Sequence, residues 1–332
     1  MRILVAEPAE FSVAAARILE GVGEVTWADA DRAALLALLP GHEVLWVRLR
    51  SRIDRELMAA APTLRAVATP TTGLTHIDLQ EAERRSIAVL SLRGETEFLR
   101  SVRATAELTI GLLLALLRDL PGALAQGPTG KWDRDRFRGR ELYGSTVGLV
   151  GLGRLGQLVA RYLEAFEAEV VACDPYVERA AVPPNVRLVS MDELLARAEL
   201  LSLHVSLTEE TTGLMGPAQF AAMRPGARLV NTSRGEVIRE EALLAALRGG
   251  RLAGAALDVL ADEHAVGVNH PLLVYAREHG NLLLTPHIGG CTGSSMERTE
   301  VFLAGKVARW ITAQGSGQQG EEHVRNRGNV WG

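Results

Sequence analysis

The chain has 332 residues, is 47% hydrophobic and 23% charged, and carries a formal net charge of −4. That is the composition of an ordinary soluble globular protein of about two domains, and the mild acidic balance gives no reason to expect nucleic acid or an anionic membrane as a partner. Its two cysteines, Cys173 and Cys291, lack metal-ligand spacing; they exclude a disulfide framework, fit a reducing cytoplasm, and leave no metal to be expected.

The opening "MRILVAEP" has no long apolar stretch and reads as a strand, not a signal peptide. Short Val/Ile/Leu runs then alternate with helix-period segments. "RILVA" precedes a helical "SVAAARILEGVG", followed by "EVTWA", "RAALLALL", "EVLWV", "RELMAAAP", "LRAVAT", "EAERRS" and "IAVLS". This βα repeat predicts a parallel sheet covered by helices. A long helix is predicted near residues 102–119; its apolar stretch, around Ile110 to Leu117, is too short to cross a bilayer. The chain from 121 to 144, "PGALAQGPTGKWDRDRFRGRELYG", reads as loop. A second βα series begins at "STVGLVGLG" and runs through "AEVVACD", "ELLSLHV", "ARLVNTS", "LAGAALDV" and "NLLLTPH". A last helix is predicted over roughly 294–313, ahead of a polar tail expected to be flexible.

Within the second series, Gly151-x-Gly153-x-x-Gly156 follows an apolar strand and opens an amphipathic helix. Glycines there allow a tight turn and close backbone approach, and the helix N-terminus offers N–H groups and a positive dipole end to a pyrophosphate. Gly151, Gly153, Arg154, Leu155 and Gly156 are the candidate pyrophosphate cradle. Asp174 closes the next strand. A carboxylate in that place accepts hydrogen bonds from ribose hydroxyls and repels a 2′-phosphate, so the expected cofactor is NAD and not NADP.

Three later strands each deliver a polar residue near their carboxyl ends: Arg234 in "RLVNTSRGE", Asp258 and Glu263 in "AALDVLADEH", and His287 in "LLLTPHIGG". Ligands bind at such strand ends in open parallel sheets. A histidine beside a carboxylate is a general acid/base pair, the carboxylate orienting the ring and favouring its protonated form. An arginine supplies a forked donor for a carboxylate and for a carbonyl gaining negative charge. With a nicotinamide, these groups suit hydride transfer to or from a 2-oxo acid.

The stretches "GLVGLGRLG", "LVNTSRGEVI", "GAALDV" and "LLLTPHIGG" resemble the signatures of the D-isomer-specific 2-hydroxyacid dehydrogenases, above all the phosphoglycerate-dehydrogenase-like branch. The likeness runs from about residue 40 to 310. It implies an α/β protein of two Rossmann-like domains: a discontinuous substrate domain of residues 1–101 and 291–332, and an NAD-binding domain of residues 102–290. The active site would lie in the cleft between them. The resemblance makes Arg234, Glu263 and His287 the catalytic triad, with Arg234 on the keto oxygen and carboxylate and His287 donating the proton during reduction. Backbone N–H groups of Thr72, Gly73 and Leu74 in "TTGLTHID" would hold the substrate carboxylate. Thr232, Asp258 and Gly290 would lie near the nicotinamide, and His204, Val205 and Thr211 beside the adenosine or its phosphates. A homodimer is implied, built through the nucleotide domain and the long helix after residue 102. The chain departs from the family pattern at His264, where proline usually follows the catalytic glutamate, and in a longer stretch "VYAREHGN".

"SLRGETEFLRSVRATAEL" places Arg93, Arg100 and Arg103 ahead of the long helix, in a connection longer than the family's, while Arg48 of "WVRLR" matches a substrate-site arginine of phosphoglycerate dehydrogenases and Thr69 replaces another. Two readings stay open. Arg103 with Glu107 and Arg100 with Glu97 fit the i,i+4 and i,i+3 pairs of a solvated helix start. Alternatively, these arginines read a second anionic group on the far end of a 2-oxo acid, a phosphonate, phosphate or carboxylate, as in phosphonopyruvate or phosphohydroxypyruvate. Two other functions compete: a non-catalytic dinucleotide-sensing protein on the same fold, and oxidation of phosphite. Formate oxidation is disfavoured, because formate enzymes usually pair the histidine with glutamine where this chain has Glu263. Cys291 beside the active-site stretch is either reactive or an inert small hydrophobe.

Overall fold

Alternating apolar runs place their Val, Ile and Leu side chains on both faces of a strand, and such strands need helices on each side. The structure, a computed structural model, describes residues 1–315; the polar tail lies outside the described residues. The described residues divide into two units, one made of Met1–Val102 together with residues 292–315, the other of Arg103–Cys291.

The first unit holds β1 (Arg2–Val5), β2 (Glu24–Trp27), β3 (Val44–Trp46), β4 (Ala66–Ala68) and β5 (Ala88–Leu90). They form a parallel sheet of order β2-β1-β3-β4-β5. Its first four helices start on side-chain caps: Ser12, Asp31, Asp54 and Asp78 each accept a hydrogen bond from an N–H three residues on. One face is covered by a segment distant in sequence. Leu303, Ala304 and Val307 of the helix Gly293–Gly315 pack with Ile3, Val5, Leu19 and Trp46.

The second unit contains β6 (Thr146–Val150), β7 (Glu169–Cys173), β8 (Val186–Leu188), β9 (Leu200–Leu203), β10 (Ala227–Asn231), β11 (Leu252–Leu257) and β12 (Leu282–Leu284). All pairs are parallel, in the order β12-β11-β10-β9-β6-β7-β8. The chain winds outward from β6 to β8, then returns to β9 on the other side of β6. That reversal opens a crevice at the carboxyl ends of β6 and β9, the place where doubly wound sheets bind ligands. The long predicted helix spans Ala104–Arg118, its Ala106, Leu112, Leu113 and Leu117 packed with Leu149, Val159 and Val230.

Two local readings are corrected. The stretch taken as loop from 121 onward begins in a helix, Leu120–Gln126, with Pro121 in its first turn. Proline breaks a helix interior but is tolerated where no N–H partner exists, so Pro121-Gly122 opens a helix instead of ending one. Asp119, at φ 45°, turns the chain between the two helices. Edge strand β8 was also not anticipated, being only three residues long with an exposed arginine in the middle.

Candidate active site

The Gly151-x-Gly153-x-x-Gly156 turn joins β6 to the helix Arg154–Ala165. Gly151 has φ 92°, and a Cβ there would fall 2.6 Å from the His204 carbonyl oxygen; one on Gly156 would fall 2.3 Å from the Gly151 oxygen. Only glycines let this helix start so close to the ends of β6 and β9. Gly153, its N-cap, supplies no side-chain cap, unlike the capped helices of the first unit. The Leu155 and Gly156 amides of its first turn are thus left to another acceptor. Burial lowers the proton affinity of the Arg154 guanidinium beside this turn.

Asp174 follows β7. Its Oδ2 accepts the Leu152 N–H at 2.8 Å, and its Oδ1 accepts those of Tyr176 and Val177 at 2.9 and 3.1 Å. A carboxylate has about four lone-pair positions, so three backbone donors fix its orientation and leave room for a ribose hydroxyl. Uncapped amides, glycines in close contact and an oriented acid fit an adenine dinucleotide.

His204 directly follows β9, with its N–H on the Val150 oxygen at 2.7 Å, and Ser202 Oγ lies 2.9 Å from its Nε2. Burial pushes its imidazole down to about 4. Neighbouring Val205 is buried in the sheet's core. Thr211 is buried and closes its own turn, accepting the Thr208 N–H at 2.8 Å and donating to the Ser206 oxygen at 2.6 Å. Thr232 is buried with its hydroxyl 2.9 Å from that of Thr109. Gly290 and Cys291 are exposed.

The predicted triad converges within the second unit. His287 Nδ1 lies 2.7 Å from Glu263 Oε2. Burial pushes the Glu263 carboxyl up, but the His287 hydrogen bond and charge, the Leu260 N–H and the Arg234 charge outweigh it and hold the group below its ordinary value. Arg234 follows β10 and donates from Nη1 to the Ser233 oxygen at 2.6 Å.

Sequence reasoning missed two groups that shape these turns. Buried Asn231 donates to the Arg234 oxygen at 2.8 Å and accepts both Ser233 donors, N–H at 3.0 Å and hydroxyl at 2.7 Å. An asparagine at a strand end before a serine is a visible Asx-turn signal. Glu240 accepts the Ala261 N–H at 2.8 Å, beneath the Glu263 loop, with no local pattern to announce it. Asp258, expected near the nicotinamide, directs both carboxylate oxygens at the His287 turn: Oδ1 accepts from Thr285 Oγ1 at 2.6 Å and the Ile288 N–H at 2.8 Å, Oδ2 from the Gly289 N–H at 2.8 Å. His287 itself has φ 53°, a left-handed conformation, and its N–H bonds the Asp258 carbonyl at 2.8 Å.

In the first unit, Thr72, Gly73 and Leu74 form a turn held by Thr71, whose hydroxyl donates to the Gly73 oxygen at 2.8 Å and whose carbonyl accepts the Leu92 N–H at 3.0 Å. Among the described residues, their three N–H groups donate to no protein acceptor. Arg48 is engaged by Glu300 at 2.5 Å and donates to the Ala9 oxygen at 2.8 Å. Arg93, Arg100 and Arg103 are exposed. Arg100 pairs with Glu97 at 3.2 Å, both side chains solvated, while among the described residues no ion pair joins Arg103 to Glu107.

A glycine-rich βα turn, an acid at the next strand end, and a histidine–carboxylate pair on the same sheet define a dinucleotide-binding α/β protein. A family model, "D-isomer specific 2-hydroxyacid dehydrogenase, NAD binding domain", matches residues 110–289. The chain belongs to the D-isomer-specific 2-hydroxyacid dehydrogenase family, in its phosphoglycerate-dehydrogenase-like branch. It is 40% identical over 286 residues to D-3-phosphoglycerate dehydrogenase of Mycobacterium bovis, covering 86% of this chain and 52% of that protein. It is 38% identical over 282 residues to glyoxylate reductase of Thermofilum pendens, covering 82% and 80%. Among solved structures, D-lactate dehydrogenase of Aquifex aeolicus, complexed with NAD and lactic acid, is similar with a TM-score of 0.81 at 26% identity, covering 96% of each chain. The chain spans about half the length of the curated phosphoglycerate dehydrogenases that it matches.

Proposed function

We propose that the protein is an NAD-dependent 2-hydroxyacid dehydrogenase that interconverts a small 2-oxo acid and its 2-hydroxy acid. The observation that carries this reading is the 2.7 Å contact of His287 Nδ1 with Glu263, beside Arg234, on the sheet that bears the glycine turn. Gly151, Gly153, Arg154, Leu155, Gly156 and Asp174 would hold the dinucleotide. When bound, it supplies hydride chemistry at the substrate's C2.

The rest follows from the chain's own groups. With Nδ1 committed to Glu263, the ring presents Nε2 as the atom that gives a proton to the carbonyl oxygen during reduction and takes it back during oxidation. The Arg234 guanidinium holds the substrate carboxylate and stabilises negative charge growing on that oxygen. The Thr72, Gly73 and Leu74 amides are a second carboxylate cradle.

The substrate is a dianion, with Arg93 and Arg103 as readers of its second charge. The likeness to phosphoglycerate dehydrogenases and the exposure of these two arginines support this. Arg100 and Arg48 already carry carboxylate partners.

The test is NADH oxidation at 340 nm with pyruvate, glyoxylate, oxaloacetate, phosphonopyruvate and phosphohydroxypyruvate. Preference for the dianions, lost in R93A or R103A through a raised KM, supports the full reading. Faster turnover of monoanions removes the dianion part. No turnover of any acid removes the dehydrogenase reading and turns attention to phosphite or to a dinucleotide sensor.

A further inference from the structure

The loop that carries Glu263 has few restraints of its own. Asp262 adopts a left-handed conformation at φ 46°, and Glu263 opens a single 3-10 turn whose residues are exposed. His264 stands where a proline would stiffen it. Yet a displacement of about 1 Å at a catalytic group costs on the order of 100-fold in rate.

Three contacts fix the loop from below. The Leu260 N–H reaches Glu263 Oε1 at 3.3 Å. Gly235, next to Arg234, lies directly under Leu260 and Ala261, where a Cβ would fall 1.9 Å from the Leu260 carbonyl carbon. The third contact is made by a side chain from another element. Glu240, the first residue of the helix Glu240–Arg248, accepts the Ala261 N–H on Oε1 at 2.8 Å. Its Oε2 lies 3.1 Å from Nε2 of His270, which caps the helix Pro271–Glu278. Both side chains are largely buried, at 17% and 18% exposure. Among the described residues, His270 Nδ1 is buried without a hydrogen-bond partner, so the ring's proton belongs on Nε2, donating to Glu240. The starts of two helices thus clasp one loop, and the Glu240 charge sits at the positive end of its own helix.

We propose that Glu240 and His270 are a positioning pair that holds the Leu260–Glu263 loop, and through it the contact of Glu263 with His287. The pair touches neither substrate nor cofactor. It rests on the dehydrogenase reading for its purpose, but it acts on a contact observable without turnover. His287 is faced by Glu263 directly, by Asp258 through the turn amides, by Arg234 through Glu263, and from the helix Ala104–Arg118 by Thr105, which abuts Gly289. Loosening the loop therefore acts mainly on the direct contact of Glu263 with the ring.

The experiment is proton NMR of hydrogen-bonded ring N–H groups in the ligand-free full chain, with the His287 Nδ1 proton, held downfield by the Glu263 carboxylate, identified by its loss in H287N. In E240A this signal is expected to move upfield or to be lost to exchange with solvent. E240Q keeps an oxygen for the Ala261 N–H and is expected to restore it. H270A should have the same effect as E240A, and it decides the matter if E240A does not fold. NADH affinity by fluorescence should stay within about two-fold, the dinucleotide residues being on other turns. A His287 Nδ1 proton signal as in wild type in both E240A and H270A would overturn the proposal, even with a lowered Tm. Where 2-oxo acids turn over, kcat should fall in E240A at little change in KM. If the wild type turns over none of them, the functional reading fails while the NMR result still decides the pair.

Discussion

Glu300 and Arg48, 252 positions apart, meet in a nearly buried ion pair: Arg48 Nε and Nη2 lie 3.1 and 2.5 Å from Glu300 Oε1, and Glu300 Oε2 accepts the Ser12 N–H at 2.8 Å. The Glu300 side chain is 1% exposed and that of Arg48 17%. The pair ties the last helix to the carboxyl end of β3. Removing one partner of such a pair strands a buried charge and costs about 3–5 kcal/mol, whereas replacing both by apolar groups is far milder. R48M should therefore lower unfolding stability in urea by about 3 kcal/mol, and R48M/E300L should recover most of that loss. Equal losses in the single and double variants would show that the pair contributes nothing as a unit.

His287 and Glu263 predict a pH signature. Burial works against the Glu263 charge, but His287, the Leu260 N–H and Arg234 prevail, so the carboxyl ionises below its ordinary value. Its stabilising contact is fully present above the ordinary carboxyl range and is lost as pH falls through the lowered value. Protonating Glu263 releases the contact that orients the His287 ring, so kcat should decline on the acid side as pH falls through that lowered value. E263Q, which does not ionise, should remove this acid limb, and H287N should lower kcat by about 100- to 10,000-fold with NADH affinity kept. An acid limb unchanged in E263Q would deny the carboxylate its role.

How much of this was legible depended on the range of each interaction. The glycine turn, Asp174, and the polar residues after β10, β11 and β12 stand out because each ends an apolar run, a pattern contained within ten or so residues. The helix Leu120–Gln126 was hidden by a local ambiguity, since Pro-Gly marks a turn or a helix start equally well. Arg48 shows the other limit. The resemblance to phosphoglycerate dehydrogenases implies a substrate cation there, while nothing local announces its partner Glu300, which comes from the far end of the chain. Glu240 and His270 likewise look like ordinary residues at helix starts until the fold places Ala261 between them and the site.

His204 predicts a separate pH effect on stability. It is fully buried, and burial lowers its imidazole to about 4, whereas an unfolded histidine takes up a proton near 6.5. Between those values the unfolded chain binds one more proton than the folded chain, so stability falls as pH drops from 6.5 towards 4. At 1.36 kcal/mol per unit the full loss is on the order of 3 kcal/mol. Urea unfolding at pH 7, 5.5 and 4.5 should show H204N less stable than wild type at pH 7, with the difference shrinking towards pH 4.5. A difference independent of pH would mean that His204 protonates freely in the folded protein.

Asp258 offers the sharpest separation of geometry from charge in the His287 turn. Its Oδ1 accepts from Thr285 Oγ1 and the Ile288 N–H, and its Oδ2 from the Gly289 N–H. These three bonds hold the left-handed backbone of His287, which costs energy for a residue with a Cβ. D258N can keep one oxygen for Thr285 and Ile288 but must point its amide donor at the Gly289 N–H, or flip and point it at the Ile288 N–H, the Thr285 hydroxyl turning to accept. Either way a buried donor goes unpaired, at about 1–3 kcal/mol. The turn then relaxes and Nε2 leaves its position against the substrate. The expected result is a kcat lowered by about 100-fold with a Tm drop of several degrees. G289A is the control: its Cβ would fall 2.9 Å from Asp258 Oδ2, so it should disturb the same turn without removing a charge. If D258N loses activity and G289A does not, the Asp258 charge matters beyond its three bonds; if both fall together, the turn's geometry is the whole of its contribution.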